Sequence, residues 1–272
     1  MTMTIRAGAL AAMMLSAALA QSAAPRRASA QQDLATRVRD ARDGKVRFTF
    51  ASRPDVCGQG NSISTRPNSR TNWNGGTSAD VEWDNDCEHG PVRMVLNVQS
   101  HTVTGIRAYV GGRWRAASEV TDLGTVSAAS AASYLLTLGR TLSGSLAEKA
   151  IFPASLADSV TIWPALLEIA RDERVSSQAR RGAVFWLGQY AGDAATKGLV
   201  ELVGDDTLGR DVRESAVFAL SQRPKDEGVP ELIRIARTNK DPQIRKRALF
   251  WLGQSNDPRA LQLFEQLLAG TK

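Results

Sequence analysis

The feature that most constrains this chain is an internal repeat in its second half. Ala183-Val184-Phe185-Trp186-Leu187-Gly188-Gln189 recurs as Ala216-Val217-Phe218-Ala219-Leu220-Ser221-Gln222, then as Ala248-Leu249-Phe250-Trp251-Leu252-Gly253-Gln254, at steps of 33 and 32 residues. Nine positions before each Gln stands an arginine (Arg180, Arg213, Arg245), and 22 or 23 positions before it a leucine (Leu166, Leu199, Leu232). A fainter copy, Ala150-Ile151-Phe152, lies 33 residues before the first strong one, and Ala260 to Leu268 makes a last half-unit. Each period holds two apolar patterns at helical spacing, for instance Leu232, Ile235 and Ala236, then Ile244, Ala248, Trp251 and Leu252. Between them, in Thr238-Asn239-Lys240-Asp241-Pro242, Asp241 suits a helix N-cap and Pro242 the first helical position. Two short helices cannot bury their apolar stripes alone, but stacked copies can. The expected fold of residues 127–272 is therefore a right-handed α-solenoid of helical hairpins, about four repeats plus a terminal cap helix.

The pattern Asp241-Pro242-Gln243-Ile244-Arg245, followed by an Ala-Leu-Gly-type helix and then Asn256-Asp257-Pro258, resembles HEAT-like repeats of the bilin-lyase type. The resemblance covers roughly Ser127 to Gly270, about half the chain. The tandem as a whole also resembles exported bacterial HEAT-repeat proteins of uncharacterised function. Such repeats imply a binding scaffold. Lyase activity is not implied, because no chromophore-handling residue is matched. The Asp-to-Arg spacing of the pattern is complete only at Asp241 and Arg245, since Ser176 and Gly209 stand at the corresponding acidic positions before Arg180 and Arg213.

Residues 1–30 have the makings of a cleavable export signal: Arg6 supplies the positive start, and Ala7 to Ala20 is an uncharged, mostly apolar run of 14 residues. That is shorter than the roughly 20 residues a membrane-spanning helix needs, so no membrane insertion is expected after cleavage. Ala18-Leu19-Ala20 and Ala28-Ser29-Ala30 are both small-x-small cleavage sites, and cleavage after Ala30 is favoured. The leader also inflates the charge. The chain has 34 basic and 28 acidic residues, a net +6, but Arg6, Arg26 and Arg27 lie in the leader, leaving 31 against 28. Residues 128–272 hold 19 basic and 17 acidic residues, too even a balance for a nucleic-acid footprint.

Cys57 and Cys87 are the only cysteines, and an even count in an exported protein favours a disulfide. Closing that loop restricts the unfolded chain by an amount on the order of 3 kcal/mol. A metal site built from Cys57, Cys87 and His89 is the rival, but it lacks paired C-x-x-C ligands and a fourth donor. No metal or other cofactor is expected. Between the leader and the repeats, Gln31 to Arg42 carries Leu34 and Val38 at helical spacing, after which the period changes to two. Val46, Phe48 and Phe50, then Val81 and Trp83, alternate with polar residues, and Val92 to Gln99 with Thr102 to Val110 suggests a hairpin ending at Gly111-Gly112. Residues 31–126 are thus expected to form a short helix and a small disulfide-stapled β-rich module, making the whole α+β. Arg53 to Ser78 is expected to be a long polar loop tethered by Cys57, with Arg70, Asn72, Trp73 and Asn74 as a possible binding lip.

The candidate partner-binding residues are Phe152, Phe185, Phe218 and Phe250, which occupy one equivalent point of the second helix, and the arginines Arg180, Arg213 and Arg245. By helical phase Phe218 points more than about 100° away from the Val212, Ala216 and Ala219 stripe. The rings therefore either line a groove for a partner or fill the seams between hairpins. No nucleophile-base pair, paired carboxylates or phosphate loop appears, so no catalytic residue is assigned. The leading functional reading is an exported non-enzymatic scaffold that binds a protein or peptide through the inner face of the solenoid. A lyase- or hydrolase-type site on the Arg53–Ser78 loop with His89 is the alternative, and nucleic-acid binding along the solenoid comes third.

Overall fold

The computed structural model describes residues 33–66, 69–72, 80–189 and 193–270, with the backbone alone for 66 and 69–72. The expected leader and the candidates Trp73 and Asn74 lie outside the described residues, as do the side chains of Arg70 and Asn72.

The period-two segments build a four-stranded sheet. Strand β1 (Gly44–Phe50) is its second member, and its alternation sends Val46, Phe48 and Phe50 to the buried face. Helix α1 (Leu34–Arg39), capped by Asp33, precedes it. The anticipated hairpin is present as β7 (Val92–Gln99) and β8 (Thr102–Val110), turning on Ser100 and His101, both at positive φ. Two positive φ values suit the twist of a tight hairpin. Asp43 accepts from the Ser100 amide at 2.9 Å, and the His101 ring bonds the Arg39 carbonyl at 2.7 Å, which holds the turn against α1. The period gave no warning of β10 (Val120–Thr125), which pairs parallel to β1 and completes the order β10-β1-β7-β8. Its burial is patchy, so no alternation marks it.

The largest departure from expectation is the Arg53–Ser78 segment. It holds β2 (Cys57–Gln59), β3 (Ser62–Arg66) and β4 (Ser69–Asn72), which join β6 (Glu88–His89) in a second sheet of order β4-β3-β2-β6. These strands escaped notice because they are rich in Ser, Thr and Arg, and among their described side chains only Ile63 joins the apolar core. Cys57 and Cys87 are bridged, with Cα atoms 4.9 Å apart, so the pair is unavailable as metal ligands. A third, two-stranded piece, β5 (Val81–Glu82) with β9 (Arg113–Trp114), covers the outer face of the main sheet. Trp83 and Trp114 pack there against Val81, Val95 and Tyr109. Gly112 must be glycine: its φ is 63°, and a Cβ would strike the Glu82 carbonyl oxygen.

Nine helices follow among the described residues. They pair as α2 (Ala128–Thr141) with α3 (Gly144–Ala154), α4 (Trp163–Arg171) with α5 (Ser177–Gln189), α6 (Asp193–Gly204) with α7 (Arg210–Ser221), and α8 (Lys225–Thr238) with α9 (Pro242–Gly253). Helix α10 (Pro258–Ala269) lies against α8 and α9. Asp241 caps α9, accepting from the Gln243 amide at 2.8 Å, and Pro242 takes the first helical position. The second helices α3, α5, α7 and α9 pack one on the next, and the first helices α2, α4, α6, α8 and α10 do likewise, so the hairpins form two layers.

Sheet and helices are not separate bodies. Val46, Phe48, Met94 and Leu96 belong to the same apolar core as Leu135, Ile151 and the helices beyond. The backbone is stitched at the junction, where Arg53 N donates to Leu156 O at 2.9 Å and Asp158 N to Ala51 O at 3.0 Å.

Candidate functional site

The four repeated phenylalanines sit on successive second helices, but their environments differ. Phe152 on α3 is 0% exposed, stacked under Trp186 of α5 with ring centres 4.5 Å apart. Phe185 on α5 is 38% exposed and meets Trp186 edge-on at 5.0 Å. Phe218 on α7 is half-buried, 4.9 Å from Trp251, while Phe250 on α9 is 52% exposed and edge-on to Trp251 at 5.0 Å. The ring of one second helix thus stacks on the tryptophan of the next, leaving the following phenylalanine outside. Phe152 belongs to the core, because Trp186 covers it from above and α3 lies against β8. Phe185 and Phe250 are the two rings of the set offered to solvent.

The three arginines do different work from the rings. Arg213 is 6% exposed; its Nε donates to Val203 O at 3.1 Å, and its guanidinium lies 3.0 Å from Asp206 and 3.4 Å from Asp241 of the next hairpin. Arg245 donates to the Asn239 and Lys240 carbonyls at 2.7 and 3.1 Å, tying off the turn before its own helix. Asp241 therefore pairs backwards, with Arg213 and with Arg210 at 3.6 Å, rather than with Arg245. The Gln243 amide, helped by these two arginines, holds its carboxyl below the usual range. Arg180 is half-buried, with its Nε enclosed and without a hydrogen-bond partner among the described residues. Arg213 and Arg245 act as fasteners between and within hairpins and present little to a partner.

Neighbouring charges on the same face cancel in pairs across hairpins: Arg181 with Asp211 at 3.4 Å, and Arg247 with Glu214 at 2.5 Å. The result is a face of exposed rings between two ion pairs, with Lys246 exposed beside Phe250. Between Phe185 and Phe218 it opens into a pocket of about 280 Å³, whose walls include Glu148, Gln178, Arg181, Gly182 and Ser215. Sequence reasoning passed over Glu148, Gln178 and Ser215. Ala219, at the repeat position of Trp186 and Trp251, does not reach this pocket: it is 1% exposed and its methyl group packs against Gly188.

The alternative site on the β side is described only in part, since the side chains of residues 66–79 lie outside the described residues. A cleft of about 530 Å³ beside the end of β1 is lined in part by Arg53 and His89. The His89 ring bonds the Val56 carbonyl at 2.9 Å, and Arg53 reaches Asp55 at 3.2 Å. On the outer face of the main sheet, Asp80 receives Lys45, Arg107 and the Tyr109 hydroxyl. Burial favours the protonated Asp80, yet these three donors outweigh it and hold the carboxyl low. Burial first, and then the Asp80 charge, push Tyr109 up to about 12. Arg47 and Arg93 stand over the Trp114 ring at 5.0 and 5.2 Å. A small cavity of about 50 Å³ opens beside this cluster, lined in part by Lys45, Arg47, Asp80 and Trp114.

Hairpins stacked in two layers, with exposed rings along one of them, define a helical-repeat protein of the kind that mediates protein interactions. In agreement, residues 209–272, which take in α7 to α10, match the family model of HEAT repeats. No curated protein matches the chain.

Proposed function

We propose that this protein is an exported, non-enzymatic scaffold whose helical hairpins form a short right-handed solenoid and bind a protein or peptide across the α5, α7 and α9 face. The observation that carries this reading is the exposure of Phe185 and Phe250 between charge pairs that satisfy one another. Apolar rings in such a setting gain free energy when a partner covers them. The face suits a polypeptide better than a nucleic acid, since Arg181 and Arg247 are already matched by carboxylates and Lys246 is a single exposed cation beside them. The leader of residues 1–30 and the disulfide support a location outside the cytoplasm.

The test uses mature protein from the envelope fraction of its host. Replacing Phe185 and Phe250 together by serine should abolish capture of the partner and leave the helical signal intact; undiminished capture would reject this face. N-terminal sequencing of the same material should begin near Gln31, or failing that near Gln21, and an intact Met1 would refute export.

A further inference from the structure

Where β1 runs out and β7 begins, the end of the main sheet holds the cleft of about 530 Å³, a size typical of pockets that take small organic molecules. Its walls are fixed from behind. Ser52 Oγ donates to Gly90 O at 2.6 Å, and Arg53 N to Leu156 O at 2.9 Å. The Cys57–Cys87 bridge anchors the chain one step before β6, which carries His89. The cleft is therefore preformed, and a ligand meets it without first ordering a loop.

The lining defines what fits. Ala51, Pro54 and Pro91 make it apolar, and Ala51 and Pro54 are exposed. Arg53 and His89 are the ionisable members, and no carboxylate stands among the described residues that line it. His89 spends its Nδ1 proton on the Val56 carbonyl, since a carbonyl only accepts, which leaves Arg53 as the fixed positive charge. Arg53 has most of its donors unspent: among the described residues its guanidinium reaches only Asp55 Oδ2, at 3.2 Å, and its Nε is enclosed without a partner. The Asp55 side chain is 54% exposed, and such a single-contact surface pair holds a guanidinium weakly. An apolar cleft with an under-used guanidinium and no acid selects an anion with an apolar body, and a carboxylate matches the planar fork of arginine. We propose that this cleft binds an apolar monocarboxylate, with its oxygens on Arg53 and its hydrocarbon part against Ala51, Pro54 and Pro91. The site is separate from the α5, α7 and α9 face, so the two readings stand or fall independently.

Hydrocinnamate is the probe, titrated calorimetrically into the full mature protein. It should bind saturably, while hydrocinnamamide, phenylpropylamine and acetate, which lack the charge, reverse it or lack the apolar part, should each bind at least about tenfold more weakly. Arg53→Gln should erase the preference for the acid over the amide. Asp55→Asn removes the competing carboxylate and should tighten acid binding by about threefold. Should Arg53→Gln not fold, Ala51→Asp sets a negative charge on the exposed wall and should weaken the acid at least about tenfold more than the amide. The peptide acetyl-Gly-Gly-Phe, with a free carboxyl end, separates the sources of the ligand: binding at least as tight as that of hydrocinnamate makes the occupant a polypeptide C-terminus, and weaker binding makes it a free small acid. No saturable binding, equal binding of acid and amide, a preference for the amine, or an acid preference that survives both Arg53→Gln and Ala51→Asp would each overturn the proposal. Binding lost in the Phe185/Phe250 serine variant would overturn it too, by placing the probe on the repeat face.

Discussion

If the phenylalanine ladder splits into one core ring and two surface rings, truncating them should cost different amounts of stability although they occupy equivalent points of the sequence repeat. Phe152 is fully enclosed and stacked on Trp186. Phe152→Ala removes the ring from a site that water cannot fill, adding a cavity penalty to the lost transfer energy, for about 4 kcal/mol. Phe250 is 52% exposed. Full burial of a phenylalanine contributes up to about 3 kcal/mol, so half-burial is worth about 1 kcal/mol, and solvent occupies the vacated space without leaving a cavity. For a unit of this size about 1 kcal/mol moves the midpoint by about 3 °C, which sets about 12 °C for Phe152→Ala against about 3 °C for Phe250→Ala. Thermal melts followed by far-ultraviolet circular dichroism on the two single variants would measure it. Equal shifts would refute the reasoning, whether both were large, making the rings interchangeable seam fillers, or both small, placing Phe152 outside the core.

Three further outcomes follow from other contacts. Arg223 joins three elements, donating to Gly188 O at 3.3 Å, Thr196 Oγ1 at 3.0 Å and Glu227 at 2.5 Å, with 3% of its side chain exposed. Arg223→Met removes the buried donor from the Gly188 carbonyl and the charge partner from Glu227, which keeps only the Thr196 hydroxyl among the described residues, and urea denaturation should record a loss of about 2 kcal/mol; a change under about 0.5 kcal/mol would contradict it. Asp257 accepts from the Arg259 side chain and backbone, and is held at about 2 against an ordinary 3.8. A carboxyl with a depressed folded pKa contributes stability above its unfolded value and loses it as pH falls through the folded one. Wild-type stability should therefore decline between about pH 4 and pH 2 more steeply than that of Asp257→Asn, and matching slopes would remove Asp257 from the account. Finally, Cys57→Ser with Cys87→Ser should lower stability by about 3 kcal/mol in one transition, because sheet and helices share a core. A separate early melt of the β portion would show the two to be independent.

The sequence by itself determined what depends on local pattern. Period 3.6 in the repeats and period two in Val46–Phe50 and Val92–Val110 follow from which side of an element must be apolar, and each became a helix or strand as expected. Asp241 and Pro242 announced the start of α9 because a cap is decided within one turn of chain. What only the tertiary structure decided depends on partners distant in sequence. Strand β10 exists because β1 has a free edge 75 residues away, where Arg47 meets Asp122. The polar strands β2 to β4 are ordered by pairing with one another and with β6, which no apolar period records. The ladder is the sharpest case. Phe152, Phe185, Phe218 and Phe250 are identical by periodicity, yet Phe152 and Phe218 meet an indole from the next second helix, Trp186 or Trp251, the next helix offers Phe185 only the small Ala219, and Phe250 lies on the last helix of that layer among the described residues. Burial belongs to the seam between two helices, and a pattern read along one helix cannot contain it.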